Sequence, residues 1–260
     1  MASTTADDKS PAPAVTRAAA ILTLLATERR PLGPTDIART LELAKSSRLN
    51  LCIALEQAGL VRKSELGYSL GRKTVELGGA YVRGFDLITE FYRICAESTV
   101  LQQELLHIAM LDDTMVLYLA RHEGRAPLRL SATVGDKFPA TITAVGTILL
   151  AQLDPAFIRK KFSSPESMQS WTAKSVTTTD QLLAKLDATR DRGYAIDDGE
   201  TNIGVYGLAV LLPPGRSGDA PLALGTSLMK ASMSPDRQET VVKELFEARD
   251  SLASPNLIRP

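Results

Sequence analysis

Between Val15 and Gly71 the chain fits three helix-period segments and two extended runs, each closed by its own stop signal. Nothing else in the sequence restricts the fold as much. Ala18, Ile21, Leu22 and Leu25 fall at i, i+3, i+4 and i+7, one buried stripe on a first helix that Pro31 and Gly33 close. A second, short helix follows, with Thr35 as the expected N-cap, Asp36 in its positive first turn, and Ile37, Ala38 and Leu41 facing inward. After Glu42-Leu43-Ala44 a third helix places Leu51, Cys52, Leu55 and Ala58 on one side and ends at Gly59. Its other side carries Ser46, Asn50, Ile53 and Gln57, with Ser47 and Leu49 beside them. Two short runs, 60–63 and 68–70, then form a hairpin around Glu65-Leu66-Gly67. This is the order of a winged helix-turn-helix.

The helical stretch 72–85 is interrupted by Gly78, Gly79 and Gly84, each costing about 1 kcal/mol against Ala in a helix interior. Such a segment suits close packing against a partner surface. A further helix is expected from Asp86 to about Glu104, carrying Leu87, Ile88, Phe91, Ile94 and Cys95. Beyond it, strands are expected on both sides of Asp112-Asp113, at 127–132, and in GYAIDD, VYGLAVLL and PLALGTSL, the last two joined by PPGRSGDA. Helices are expected in TAVGTILLAQL, DPAFIRKKF, TTTDQLLAKLDATRDRG and a final segment opening on Ser234-Pro235. Hairpin-linked strands of this kind make an α+β domain, an antiparallel sheet with flanking helices. The expected organisation is a disordered tail over 1–13, a winged helix-turn-helix over 14–71, a linker helix over 72–87 and a second domain over 88–256.

Charge narrows the function classes. Residues 1–85 hold 12 Lys/Arg against 8 Asp/Glu, and the remainder carries the opposite excess, so the formal total is +0. A basic front on an acidic body suits a nucleic-acid contact in the front part. Cys52 and Cys95, with two histidines, supply neither a disulfide framework nor a metal cluster. The start lacks a secretory pattern and no apolar run approaches the ~20 residues of a bilayer span, so the expected location is cytoplasmic, with no membrane partner. No G-x-S-x-G, P-loop or G-x-G-x-x-G is present. His107 reads as a core histidine and His122 as a surface one, so no catalytic residue and no cofactor are assigned.

From Val15 to Leu252 the chain resembles the IclR family of bacterial transcriptional regulators. The stretches that carry the resemblance are RAAAILTLLA, PLGPTDIARTLELAKSS, LEQAGLV, LGYSLGRKTVELGGAYVRG, VGDKFPATITAVGTILLA, RGYAIDDGE and SPDRQETVVKEL. The resemblance implies a winged-helix DNA reader, a linker helix, and an effector-binding domain with a GAF/PAS-like sheet. It also implies a homodimer, often paired into a homotetramer, on a double-stranded DNA operator with two related half-sites. A winged-helix protein-interaction module without a small-molecule effector is the alternative.

On this reading the third helix enters the major groove. Lys45, Ser46 and Ser47 contact phosphate, Asn50 reads adenine, and Leu49 rests on a thymine methyl. Arg48 stands where relatives carry a small apolar residue; its direction stays open in the sequence, and a partly buried stem with the guanidinium reaching out to phosphate is one arrangement. In the wing, a basic residue usual before the hairpin tyrosine is replaced by Gly67, leaving Lys63 and Ser64 as phosphate or minor-groove candidates. The resemblance places the polar head of a small organic-acid effector at Ala144 and Val145. Asp197, Gly207 and Thr226 fall at positions that are polar in the family, and Leu130, Phe138 and Val205 are the implied apolar wall. Leu228 replaces a position often held by Ser, and Gly207 one often held by Cys. Those two departures favour an aromatic or longer-chain acid over a two- or three-carbon keto acid.

Overall fold

A computed structural model describes residues 10–28, 30–42, 45–84, 87–125, 132–214 and 220–253, with only the backbone at 45–48 and 165. The chain divides into two compact units, Met1–Gly84 and Phe85–Pro260.

In the first unit α1 (Pro13–Glu28), α2 (Pro34–Leu41) and α3 (Lys45–Gln57) precede a two-stranded hairpin, β1 (Val61–Ser64) and β2 (Gly67–Leu70), and then α4 (Arg72–Arg83). Ile21 and Leu25 of α1, Ile37 of α2, and Cys52 and Leu55 of α3 close on Leu32, Val61 and Tyr68 to make the core, with Ala18, Leu22 and Leu41 at its margin. Each fully buried side chain of this kind contributes about 1.5–3 kcal/mol.

Several expectations change. Pro13 is already helical, inside the stretch expected to be tail. The N-cap of α2 is Gly33, not Thr35: Pro34 takes the first helical position, where its missing N–H costs nothing. Ala58 is exposed, because α3 has ended at Gln57. The wing is tied to the segment before α2 by paired hydrogen bonds between Leu32 and Tyr68, both 2.9 Å. Gly67 has φ +126°, and a Cβ there would collide with the Leu32 carbonyl. The backbone of this bridge therefore leaves no room in this chain for the basic residue usual in relatives before the hairpin tyrosine. α4 buries none of its residues, and Val75, Leu77 and Tyr81 are exposed.

The second unit is built on a six-stranded, wholly antiparallel sheet ordered β5-β4-β3-β8-β7-β6. Its strands are β3 (Leu105–Asp112), β4 (Met115–His122), β5 (Lys137–Pro139), β6 (Ala195–Asp198), β7 (Val205–Leu211) and β8 (Leu222–Met229). Asp113, at φ 61°, turns β3 into β4. The helix α5 (Leu87–Glu97) ends about two turns before Glu104, and a short 3-10 turn, Leu101–Gln103, replaces the expected continuation. The strand expected at 127–132 lies almost wholly outside the described residues, as does the centre of PPGRSGDA. β5, three residues at the sheet edge, had no sequence signal.

Large and small residues alternate along the central strands, and the alternation sets the two faces apart. Ala109, Ala209 and Ala223 face α6 (Ala144–Leu150) and α8 (Thr179–Arg192), whereas Ile108, Leu208 and Leu224 are buried outside that cluster. The sheet also packs against α5 and α9 (Pro235–Leu252), while α7 (Pro155–Lys161) packs on α8. The caps follow the sequence: Thr178 and Gln181 form a capping box on α8, Gly193 ends it at φ 78°, and Ser234 caps α9. Among the described residues no helix is long and apolar enough to cross a membrane.

Substituting Gly67→Ala should destabilise the N-terminal unit by about 1–3 kcal/mol, read as an earlier urea transition of that unit in the full-length protein.

Candidate DNA interface and effector cavity

The two sides of α3 separate cleanly. Cys52 and Leu55 are almost wholly buried, whereas Leu49 is 48% and Ile53 41% exposed, and Asn50 and Gln57 are exposed beside them. Leu49 and Ile53 are one turn apart, so the outer face pairs an apolar ridge with an amide. The side chains of Lys45, Ser46, Ser47 and Arg48 lie outside the described residues, and only their helical backbone is placed. Lys63 is exposed on the wing with its ammonium 6.0 Å from the Tyr68 ring centroid. The Ser64 hydroxyl donates to the Gly67 carbonyl at 3.1 Å and so stiffens the wing turn.

The second unit holds a cavity of about 180 Å³ between the small-residue face of the sheet and the start of α6. Strand register explains its floor. Leu105, Ser227, Gly207 and Asp197 are cross-strand partners in one row, and Arg121, His107, Gly225, Ala209 and Ala195 form the next. The pairing between β3 and β4 slips between Ile108 and Ala109, so Ala109 faces Tyr118 while Ile108 faces Ala120. Leu119 is the extra residue. This bulge brings Tyr118 and Arg121, three apart in sequence, to the same face. An unbroken strand would point them oppositely.

Phe138, Ala144, Asp197, Val205 and Gly207 line this cavity, and Thr226 borders it with its hydroxyl committed to the Leu105 carbonyl at 3.1 Å. Val145 does not line it; its side chain is buried against Gly225. Leu228 is fully buried on the other face, paired with Tyr206, and its neighbour Ser227 is the hydroxyl that faces the cavity. A one-residue step reverses a strand side chain, so Ser227 faces the cavity and Leu228 does not. Leu130 lies outside the described residues. Gly207 adds no room, since a Cβ there would stand 3.1 Å from Asp197 Cβ and 3.4 Å from Ala144 Cβ. The two departures that favoured a bulky, less polar ligand therefore lose their structural basis.

Sequence reasoning also missed His107, Tyr118, Arg121, Thr143, Trp171 and Asn202. Four of the walls form a ladder of rings: His107 stacks on Tyr118 at 4.5 Å, Tyr118 lies 4.9 Å from Phe138, and Phe138 meets Trp171 edge-on at 5.9 Å. Burial, then the nearby Arg121 charge, pushes the His107 imidazole down to about 3, so the ring is neutral. Burial likewise raises the Tyr118 phenol far out of the physiological range.

Asp197 organises the loop beside it. Its carboxylate accepts from Glu200 N at 2.6 Å, Thr201 N at 3.4 Å and the Thr201 hydroxyl. Burial raises its pKa against the opposing pull of those donors and of Lys185. Lys185 pairs with Glu200 at 2.6 Å and donates to the Thr141 carbonyl at 3.0 Å, joining this loop to the segment that leads into α6. Ser175 Oγ donates to the Glu200 carbonyl and Thr172 Oγ1 to that of Gly199, fastening the Trp171 loop to the same turn. Asp198 points away into pairs with Lys174 and Lys230. Thr143 caps α6 through Gly146 N at 3.1 Å, and that helix is only seven residues long, a weak dipole for an anion.

Comparison with known proteins places both units. Residues 14–65 match the IclR helix-turn-helix domain, and residues 79–253 match the family described as bacterial transcriptional regulator IclR C-terminal. The HTH-type transcriptional regulator KdgR of Escherichia coli is 28% identical over 229 residues, covering 87% of this chain and 86% of its own. Among solved structures, an IclR transcriptional regulator from Alicyclobacillus acidocaldarius superposes with a TM-score of 0.79 at 25% identity, over 93% of this chain and 97% of its own. An IclR homologue from Microbacterium hydrocarbonoxydans, complexed with 4-hydroxybenzoate, gives 0.77 at 21% identity, over 92% and 97%.

The depressed His107 pKa fixes one pH dependence. The unfolded chain takes up that proton first on acidification, from its ordinary 6.5, so this contribution to stability is complete above 6.5 and lost as pH falls toward 3. Asp197 and Glu200, raised by burial, act with the opposite sign in the carboxylate range. His107→Gln should therefore flatten the fall in melting temperature between pH ~6.5 and ~5, leaving the residual slope that His122, also depressed by burial, supplies.

Proposed function

The chain belongs to the IclR family of bacterial transcriptional regulators, and on that premise we propose that α3 reads a two-half-site operator while a small organic acid in the β-sheet cavity modulates the binding. The family is one of DNA-binding regulators and not of enzymes. Domain boundaries for this function are the winged helix over 14–71, the linker over 72–87 and the effector domain over 88–256.

The observation that carries the DNA reading is the outer face of α3, where Leu49, Asn50 and Ile53 are exposed while Cys52 and Leu55 hold the core. An amide at Asn50 pairs bidentately with adenine, and the Leu49 ridge suits a thymine methyl. Lys45, Ser46, Ser47 and Arg48 occupy the first turn, where free backbone N–H groups favour phosphate, and Lys63 adds a phosphate contact from the wing. Ser64 serves the wing indirectly, by bracing its turn.

The effector reading is supported by the cavity, whose candidate contacts are Phe138, Ala144, Asp197, Val205, Gly207 and Thr226. The Microbacterium homologue complexed with 4-hydroxybenzoate supports an aromatic acid as a ligand that this fold accommodates. A homodimer, with pairing into a tetramer, is supported by α4: Leu77 and Tyr81 lie one turn apart and exposed, and a Cβ at Gly78 would meet nothing within 4 Å. A second copy covering that face satisfies its apolar area.

Two measurements test this. In gel shifts over a salt series, Lys45→Ala should weaken binding to all sequences and reduce the salt slope by about 1; unchanged affinity and slope would remove α3 from the interface. Tyr81→Glu should move the mass distribution toward monomer in mass photometry, and an unmoved distribution would exclude α4 from the dimer contact.

A further inference from the structure

We infer that Arg121 receives the effector's carboxylate, and that the effector is a single-ring aromatic monoacid lying against Tyr118, Phe138 and Trp171. The inference rests on the reading that this cavity is the effector site, and it names a residue and a ligand class for it.

Placement comes first. Without the bulge at Leu119, Arg121 and Tyr118 would face opposite sides of β4; with it, a guanidinium and an aromatic ring stand on one face of one strand, three residues apart. Bulges commonly re-aim a side chain beside a binding site. The Arg121 side chain is only 17% exposed and lies 3.7 Å from Glu123, whose own side chain is 55% exposed. A carboxylate entering the cavity meets that guanidinium away from bulk water, where a bidentate pair is strongest.

Charge then decides which end of the cavity an acid occupies. Among the described lining residues the charged side chains are Arg121 and Asp197. They stand on β4 and β6, with β3, β8 and β7 between them. They therefore face one cavity from opposite flanks of the sheet. The oxygens of Asp197 already accept from Glu200 N, Thr201 N and the Thr201 hydroxyl, and a second carboxylate there would face like charge. An anion is drawn to the Arg121 end and repelled from the other.

Volume and wall chemistry set the body of the ligand. An engineered apolar cavity of ~150 Å³ holds one benzene, and this one measures about 180 Å³. That volume matches one ring with a small substituent better than two. The ring centroids of Tyr118, Phe138 and Trp171 follow one another at 4.9 and 5.9 Å, an aromatic surface that favours an offset or edge-on partner. Gly225 limits the size. A Cβ there would stand 2.5 Å from Val145 Cγ1 and 2.7 Å from His107 Nε2, so the imidazole and α6 already fill the space over that residue. His107, uncharged, does not compete with Arg121 for the carboxylate.

The test uses full-length protein and the fluorescence of Trp171, the sole tryptophan, with calorimetry as a second readout. The probes are benzoate, 4-hydroxybenzoate, phenylacetate, the neutral isostere benzamide, naphthoate and pyruvate. Wild type should bind the single-ring acids, with benzamide at least roughly 30-fold weaker, since loss of a charge-assisted pair is of that size, pyruvate weaker for want of a ring, and naphthoate weaker for its size. Arg121→Met should lower benzoate affinity by a similar factor and bring benzoate and benzamide level, while Arg121→Lys recovers part of the loss. If Arg121→Met fails to fold, equal wild-type affinities for benzoate and benzamide still overturn the assignment. Retention of the benzoate preference in a folded Arg121→Met protein overturns the role of Arg121 and leaves the effector reading standing. Tight binding of pyruvate or naphthoate overturns the ligand class. Silence toward every acid, with operator binding unaffected by any of them, overturns the effector reading itself.

Discussion

Gly225 has no room for a side chain: Val145 comes down on it from α6, and the His107 imidazole lies across it from β3. The C-terminal unit depends on that contact. Gly146 makes a similar approach on the helix side, where a Cβ would run into the backbone of Ala140. With Ala109, Ala209 and Ala223 completing the same face, α6 settles close on the sheet and buries all seven of its residues. The close approach at Val145 and Gly146 stands right beside a hollow, where Thr143 and Ala144 at the same end of the helix meet the row of Leu105, Ser227, Gly207 and Asp197. The cavity is what remains when a helix is pressed onto a twisted sheet through small residues; its polar groups are those the rows deliver to its rim.

The N-terminal unit solves a different problem, that of a small core. About eight buried side chains hold three helices and a hairpin together. The Leu32–Tyr68 bridge makes the segment before α2 a third partner of the wing. The wing is thereby positioned by backbone hydrogen bonds and by Tyr68, itself 2% exposed, leaving Lys63 at the surface.

Where side-chain pattern and backbone agree, the sequence was legible. The stripe of Ile21 and Leu25, the helix over TTTDQLLAKLDATRDRG, the helix opening on Ser234 and the hairpin around Asp113 all follow local rules whose partners lie within a few residues. The candidate site was legible only in part, because its membership depends on register. Ser227 and Leu228 are adjacent, and only pairing to β7 and β3 decides which one faces α6. Arg121 and His107 were hidden more deeply. The first needs the Leu119 bulge, which leaves no mark in composition, and the second reads as an ordinary core histidine until Gly225 is seen opposite it. β5 and the ring ladder through Phe138 and Trp171 join parts of the chain with no shared local signal.

The loop that Asp197 holds also bears on time. The cavity is rimmed on one side by Trp171 and Asn202, both exposed, and their loops are fastened to each other through Ser175, Thr172 and the Glu200 turn. If the effector of the proposed site passes that rim, the hydrogen bonds that hold the two loops together would lie on its way, and their opening would then enter its residence time beside the strength of its contacts inside. A brief pulse of effector and a steady low level of it would then be read differently.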